Sequence, residues 1–331
     1  MTFKNLVSII GNPFALRLTA HAPRILMYHR FAVQDEWRRF PIAAFEAQLQ
    51  YLQRHFTVIR LTELAELLRD GQPPPRNAAV ITVDDGYVDF HRLAAPLLVR
   101  YGMPATVFVV ADFADQRIWL WYDALHYLIT RTPVSAGKIT FAGKQFKFRL
   151  HDDRDRNQLW GRLADHVLYA PQASKLRLIQ ACQDQLRIEL PATPTDNYRS
   201  MNWQEINSLD PLIDIGSHTC SHPILSGVND PDVLAHEIGA SRQQIEQHIG
   251  RPVTTFCYPN GQARDYNATT LHEVERSGYV CAVSAHGGLV DPAVSNLFHL
   301  PRVPGPNTRD QFVRTISGLT HLRQKLPDKW T

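Results

Sequence analysis

Val80-Ile81-Thr82-Val83-Asp84-Asp85-Gly86-Tyr87 runs four β-favouring residues straight into two carboxylates and a glycine. A continuous apolar run, rather than an alternating one, is the pattern of a strand buried on both faces, as in a parallel sheet covered by helices. Adjacent carboxylates at the end of such a strand repel one another unless they share a proton or meet a cation. The octet alone therefore admits two readings: a site organised around a metal ion, or a strand that ends in an Asp-Gly turn.

Outward from the octet, the same pattern recurs. Upstream, Arg24 to His29 reads as a short buried strand ending in a polar residue. Phe45 to Phe56 and Leu61 to Leu68 show helical spacing, with Thr62 a candidate N-cap, and Gly71 to Arg76 form a proline-rich surface connection. Downstream, Phe90 to Tyr101 reads as a helix ended by Gly102, and Ala105 to Val110 as another buried strand. The rhythm breaks between Asp112 and Arg199, where helix-like stretches (Trp119 to Ile129, Asn157 to Tyr169, Lys175 to Ile188) surround a hairpin expected at Ala142 and Gly143. Strands resume at Leu212 to Ile215, Val253 to Tyr258, Tyr279 to Ser284 and Phe298 to Val303, with a helix over Val233 to Ile249. The seven strands, with polar residues gathered at their C-terminal ends, predict an α/β fold of the (β/α) barrel kind, whose sites form at that face. The expected organisation is one domain over 1–331 with a mainly helical insertion over 112–200.

Composition narrows the function. At 331 residues the chain can bury a sizeable core, and 35 basic against 32 acidic residues leave a formal charge of +3, too balanced for a nucleic-acid surface. The four cysteines (Cys182, Cys220, Cys257, Cys281) are widely spaced with no CxxC pair, which fits a reducing compartment. Leu6 to Ile10 is apolar, but Gly11, Asn12 and Pro13 interrupt it before a signal-type segment forms, and no stretch reaches the length of a membrane span. The expected location is the cytoplasm, free or beside a membrane.

A second cluster follows Ile215: Gly216-Ser217-His218-Thr219-Cys220-Ser221-His222-Pro223. Two histidines four apart at a strand end can converge on one ion, although among 15 histidines such a pair also arises by chance. Taken with the acids, one carboxylate and two imidazoles make the ligand set of a hydrolytic zinc site. The second carboxylate is then left as general base toward a water on the ion.

Thr82-Val83-Asp84-Asp85-Gly86 and His218-Thr219-Cys220-Ser221-His222 resemble the two defining motifs of the polysaccharide deacetylase family, the NodB-homology carbohydrate esterases, with Val83 where Phe is usual. The resemblance implies an irregular seven-stranded barrel, Asp84 as base, and Asp85, His218 and His222 as ligands of a divalent metal, Zn2+ by default. Phe256-Cys257-Tyr258-Pro259-Asn260-Gly261 is similar to a third family motif, with Cys257 where Arg is common. It implies that Tyr258 and Asn260 lie on the substrate side, the Asn260 main-chain N–H holding the oxyanion. Met27-Tyr28-His29 resembles the branch that includes poly-N-acetylglucosamine deacetylases and implies His29 as the acid, with His299 of Leu297-Phe298-His299 the competing candidate. Leu300-Pro301-Arg302 fits the same branch and would aim Arg302 at Asp84 in place of the missing loop Arg.

The implied reaction is hydrolysis of the N-acetyl group of an amino sugar in a polysaccharide, exopolysaccharide or glycan precursor. The partner is then an acetylated glycan; nucleic acid is not expected, and oligomeric state is not indicated. The alternatives are a hydrolase of non-sugar amides on the same barrel and a silent glycan-binding protein. Trp119, Trp121, Tyr122 and Trp160 of the insertion could stack on sugars, but aromatics at helical spacing are expected to be core.

Overall fold

The long apolar runs become the strands of a closed parallel ring. These are β1 (Arg24–Tyr28), β2 (Ala78–Val83), β3 (Ala105–Val109), β4 (Ile213–Ser217), β5 (Thr255–Cys257), β6 (Cys281–Gly287) and β7 (Leu300–Pro304). The computed structural model describes residues 12–34, 36–293 and 296–324. The apolar segment Leu6 to Ile10 lies outside them.

The ring runs β1-β7-β6-β5-β4-β3-β2 and closes because β1 also pairs with β2. Leu26 of β1 is in register with Ile81 on one side and Val303 on the other. All six residues of β2 are buried, and so are all five of β3, as strands covered on both faces require. The ring is irregular where β6 meets β7, the register shifting between Val283 and Gly287. The seven-stranded α/β barrel expected from the sequence is thus the fold.

Strand alternation sorts the core. Ile25, Val80, Phe108, Cys257, Val283 and Leu300 form one buried cluster with Leu61 and Leu64. The neighbouring positions Leu26, Ile81, Val107, Ile215, Phe256, Ala282 and Val303 form another, against the surrounding helices. α1 (Ile42–His55) packs Phe45, Leu49 and Leu52 into the second cluster, and α2 (Leu61–Arg69) packs Leu61 and Leu64 into the first. At Gly216 of β4 no side chain fits: an added Cβ would lie 2.4 Å from Cδ1 of Phe108.

Two expected helices are each interrupted. Over Phe90–Ala94 the chain takes a π turn before regular helix at Ala95–Arg100. Pro96 explains it, since proline has no N–H to donate and its ring crowds the carbonyl four residues back. The stretch expected to be helical over Val233 to Ile249 has a π turn at His236–Ala240 between Pro231–Ala235 and Ser241–Ile249.

Between β3 and β4 the chain builds α3 (Trp121–Arg131), the hairpin Ala136–Phe141 and Lys144–Arg149, α4 (Asp153–Val167) and α5 (Gln172–Leu186). Ala142 and Gly143 turn the hairpin with φ of 50° and 76°, the left-handed pair that a two-residue loop needs. These elements have an apolar cluster of their own, including Leu125, Leu128, Ile139, Phe146, Leu159, Leu163 and Leu178. The two ends of the segment stay together: Trp119 Nε1 donates to Pro191 O at 2.8 Å, and Tyr87 bridges to Ser200. All four cysteines are free and buried. Among the described residues no helix is long and apolar enough to cross a membrane.

Candidate active site

Adjacent side chains on a strand point to opposite faces, so β2 alone would separate Asp84 from Asp85. The strand ends at Val83, and Asp85 takes a left-handed φ of 71°, followed by Gly86 at 77°. The kink swings the second carboxylate back toward the same mouth of the ring. Thr219, His222 and Asn260 also have positive φ, of 69°, 62° and 61°, so with Asp85 the loops that carry the candidate residues hold four of the nine left-handed non-glycine residues among those described.

Asp85 Oδ1 lies 3.5 Å from His218 Nε2 and 3.4 Å from His222 Nε2. One donor atom from each of the three fits within 4.8 Å of the others, which suits a single divalent cation. The second nitrogen of His218 fixes the ring: Nδ1 lies 2.7 Å from Cys257 O, leaving Nε2 toward Asp85. Asp84, His218 and Cys257 also cluster, but Cys257 Sγ is already taken up by Arg302 Nη2 at 3.2 Å.

The His218 to His222 loop is clamped from beneath. His218 N donates to Val109 O, and His222 N to Thr219 Oγ1, each at 2.9 Å. Glu237, in the π turn, accepts from Ser221 N at 2.9 Å and Ser221 Oγ at 2.6 Å. Sequence reading missed Glu237. Its signal was a carboxylate within the buried stripe Leu234, Ile238 and Ile245.

Arg302 and Asp84 are 1% and 2% exposed and form a bidentate pair, Nη1 to Oδ1 and Nη2 to Oδ2, both 2.7 Å. Arg302 Nε donates to Ser284 O at 2.9 Å and Nη1 to Thr82 Oγ1 at 3.0 Å. Burial pushes the Asp84 carboxyl up, but the guanidinium outweighs it and holds the group below its ordinary range. Asp85 is likewise raised by burial and more than offset by the hydrogen bond from His218 and the charge of His222. The imidazoles divide: burial, then repulsion by His218, pulls His222 down to about 3. His218 resists the same burial because Cys257 and Asp85 favour its proton, and it rises well above its ordinary value.

His29 Nε2 stands 3.6 Å from Asp84 Oδ2 with its side chain 47% exposed, at the open side of the pair. The next residue fixes this turn. Arg30 lies 4.1 Å over the Tyr87 ring and pairs with Asp89 at 3.1 Å and Asp123 at 3.7 Å, while Phe31 N donates to Asp89 Oδ1. Tyr87 donates its hydroxyl to Asp123 Oδ2 at 2.6 Å. Burial raises Asp123 to about 6 against the pull of Arg30. His299 sits elsewhere, against Tyr266 and His286, with Nε2 buried and unpartnered.

Tyr258 is 1% exposed, stacks on Tyr266 and donates its hydroxyl to Phe298 O at 2.8 Å, so its phenol is engaged away from the cluster. Asn260 is exposed on the turn that follows, where Gly261 N donates to Pro259 O at 2.7 Å. Of the aromatics between β3 and β4, Trp121 is buried in the local core as expected of helical spacing, but Tyr122 donates to Asp85 Oδ2 at 3.3 Å and meets the His222 ring edge-on.

Comparison with known proteins adds a family. The family model described as polysaccharide deacetylase matches residues 71–146 and 192–282. The poly-beta-1,6-N-acetyl-D-glucosamine N-deacetylase of Escherichia coli (strain K12) is 22% identical over 270 residues, 79% of this chain and 33% of that protein. The YxkH protein of Bacillus subtilis (strain 168) is 34% identical over 87 residues, 26% of this chain and 31% of that protein. The chain thus spans about a third of the length of these curated relatives. Among solved structures, a Streptococcus pyogenes deacetylase in complex with acetate aligns at a TM-score of 0.59 and 17% identity, covering 89% of this chain and 98% of that one. IcaB from Ammonifex degensii also aligns at 0.59, with 14% identity and coverage of 90% and 97%. At these identities the structural likeness speaks for the fold.

Proposed function

This chain belongs to the polysaccharide deacetylase family, and on that premise we propose that it hydrolyses the N-acetyl group of an amino sugar in a glycan or glycan precursor. The observation that carries the reading is the meeting of Asp85, His218 and His222 beside an Asp84 gripped by Arg302. The relative from Escherichia coli acts on poly-β-1,6-N-acetyl-D-glucosamine by its name, which makes β-1,6-linked N-acetylglucosamine the first substrate to try.

Asp85, His218 and His222 would hold a divalent cation, zinc by the character of its donors, which supplies Lewis-acid chemistry to water and to the acetamide carbonyl. Asp84 takes the proton from the attacking water; Arg302 keeps that carboxyl ionised and aimed. The Asn260 N–H, which donates to no described group, is free for the oxygen that gains charge as the carbonyl becomes tetrahedral. His29, half-exposed at 3.6 Å from Asp84, gives a proton to the nitrogen as the C–N bond breaks, leaving acetate and a free amine.

The test is acetate release from β-1,6-linked N-acetylglucosamine oligomers with and without chelator, with metal content measured in each variant. Asp84→Asn keeps its metal and loses turnover, and His218→Ala loses both. His29→Ala lowers kcat by about 10²–10⁴-fold, whereas His299→Ala changes it by less than about threefold. Chelator-resistant turnover, or full activity in Asp84→Asn, would overturn the scheme; a larger loss in His299→Ala than in His29→Ala would reassign the acid.

A further inference from the structure

The apolar stripe of α5 contains an intruder. Its buried positions are Lys175, Leu178, Ile179, Cys182 and Leu186, spaced three and four apart, so a lysine occupies a place where helical periodicity calls for a hydrophobe. Lys175 is 3% exposed, while the other three described lysines, Lys138, Lys144 and Lys147, are all exposed. Its ammonium has no hydrogen bond or ion pair among the described residues, and rests 5.1 Å above the centre of the Trp121 ring. An ordinary snorkelling lysine keeps its head in open water; this one gives up most of that hydration and gains no anion in return.

Its direction is informative. Trp121 packs edge-on against Tyr122 at 5.7 Å, and Tyr122 reaches Asp85 and His222. The Tyr122 carbonyl also accepts from Trp160 Nε1 at 2.9 Å, and over Trp160 stands a second cation. Arg38 lies 4.6 Å over Trp160 and 5.5 Å over Trp37, exposed and with no carboxylate partner among the described residues. Lys175 and Arg38 thus each lie over a tryptophan that touches Tyr122, the residue that reaches Asp85 and His222, and neither meets a carboxylate among the described residues. Elsewhere near the site, Arg30 and Arg302 are both matched by carboxylates.

We propose that Lys175 and Arg38 form an anion-recognition subsite on the approach to the reaction centre, so that the glycan this chain takes carries a carboxylate or a phosphate on a sugar near the acetamide. The aromatic side chains around Tyr122 supply stacking for the sugar ring, and the ammonium meets the anion in a poorly hydrated place where charge-assisted bonds are strong. The proposal rests on the deacetylase reading for the identity of the ligand as a glycan.

The experiment is calorimetric binding to the Asp84→Asn protein, so that ligands stay intact, using three probes of matched length. These are a neutral N-acetylglucosamine oligomer, an oligomer alternating N-acetylglucosamine with glucuronate, and a 6-phosphorylated N-acetylglucosamine oligomer. At least one charged probe is expected to bind about 10- to 100-fold more tightly than the neutral one, and which of them does so separates carboxylate from phosphate. The charged-over-neutral ratio falls about tenfold or more in Lys175→Gln, is largely kept in Lys175→Arg, and falls in the exposed variant Arg38→Gln, whose folding is not at risk. Lys138→Gln, which removes the same charge from an exposed position on the hairpin, leaves the ratio intact. Equal binding of all three probes, or a ratio that survives both Lys175→Gln and Arg38→Gln, overturns the subsite. Acetate release from the same probes by the unmodified protein tests the deacetylase reading separately: no release with the binding ratio intact would sink the reaction and keep the subsite.

Discussion

Replacing Arg302 with Met is the sharpest probe of the centre, because the guanidinium has five contacts and no water to fall back on. It gives Asp84 two bonds of 2.7 Å and serves Thr82, Ser284 and Cys257 as well. Met keeps much of the length and apolar volume but leaves Asp84 buried and unpaired, and breaking a buried pair by removing one partner costs about 3–5 kcal/mol. That is a large share of the ~5–15 kcal/mol that keeps a domain folded. The loss also has a pH dependence of known sign. In the unaltered chain the folded Asp84 titrates below its ordinary 3.8, so its contribution is present above that value and is lost as pH falls through the folded one. In Arg302→Met burial, the largest influence on Asp84, is no longer outweighed. The folded carboxyl then titrates above 3.8, and stability is lost as pH rises through the new value. The gap between the two proteins therefore widens as pH rises from the ordinary 3.8 toward the raised value of the variant. Urea unfolding across that range, with chelator throughout, measures it. A loss under about 1 kcal/mol, the size of an exposed ion pair, or a gap that narrows with rising pH, refutes the account. Turnover should fall roughly 10²-fold or more, since the base loses its orientation.

Glu237→Ala frees Ser221 N and Oγ and should weaken zinc binding about 10- to 100-fold, as loss of the group orienting a ligand loop does; unchanged affinity in a competition titration counts against that role. Asp123, raised to about 6 by burial, contributes fully below its ordinary 3.8 and loses that contribution as pH rises through about 6. In Asp123→Asn this downward slope of melting temperature with pH should flatten, and a slope equal to that of the parent would show that Asp123 is not its source.

The barrel was legible because β2 and β3 are buried on both faces and so read as unbroken apolar runs, a pattern the chain cannot disguise. The meeting of Asp84 and Asp85 with His218 and His222 was legible because both clusters follow directly on strands that end at the same mouth. What escaped were contacts outside those motifs, between partners distant in sequence. Arg30 looks like any surface arginine until Asp89 and Asp123 close on it, and Tyr122 could be placed against Asp85 only by the docking of α3. Glu237 and Lys175 left a local trace, a charged residue in an apolar stripe, but the trace does not say what the charge faces. The break in the helix after Tyr87 was written in Pro96; the one at His236–Ala240 carries no proline.

The pairing of Asp84 with Arg302 also sets a schedule. The two residues are 218 positions apart, and at the ~5–20 residues per second of chain synthesis the arginine leaves the ribosome roughly 10–45 s after the carboxylate it will neutralise. During that time β1 and β2 can already pair, but the ring lacks its closing strand and its central acid lacks a counterion. The proposed reaction centre is therefore among the last parts of the barrel to form, and a nascent chain stalled before β7 would hold the proposed metal ligands without the group that keeps the proposed base ionised.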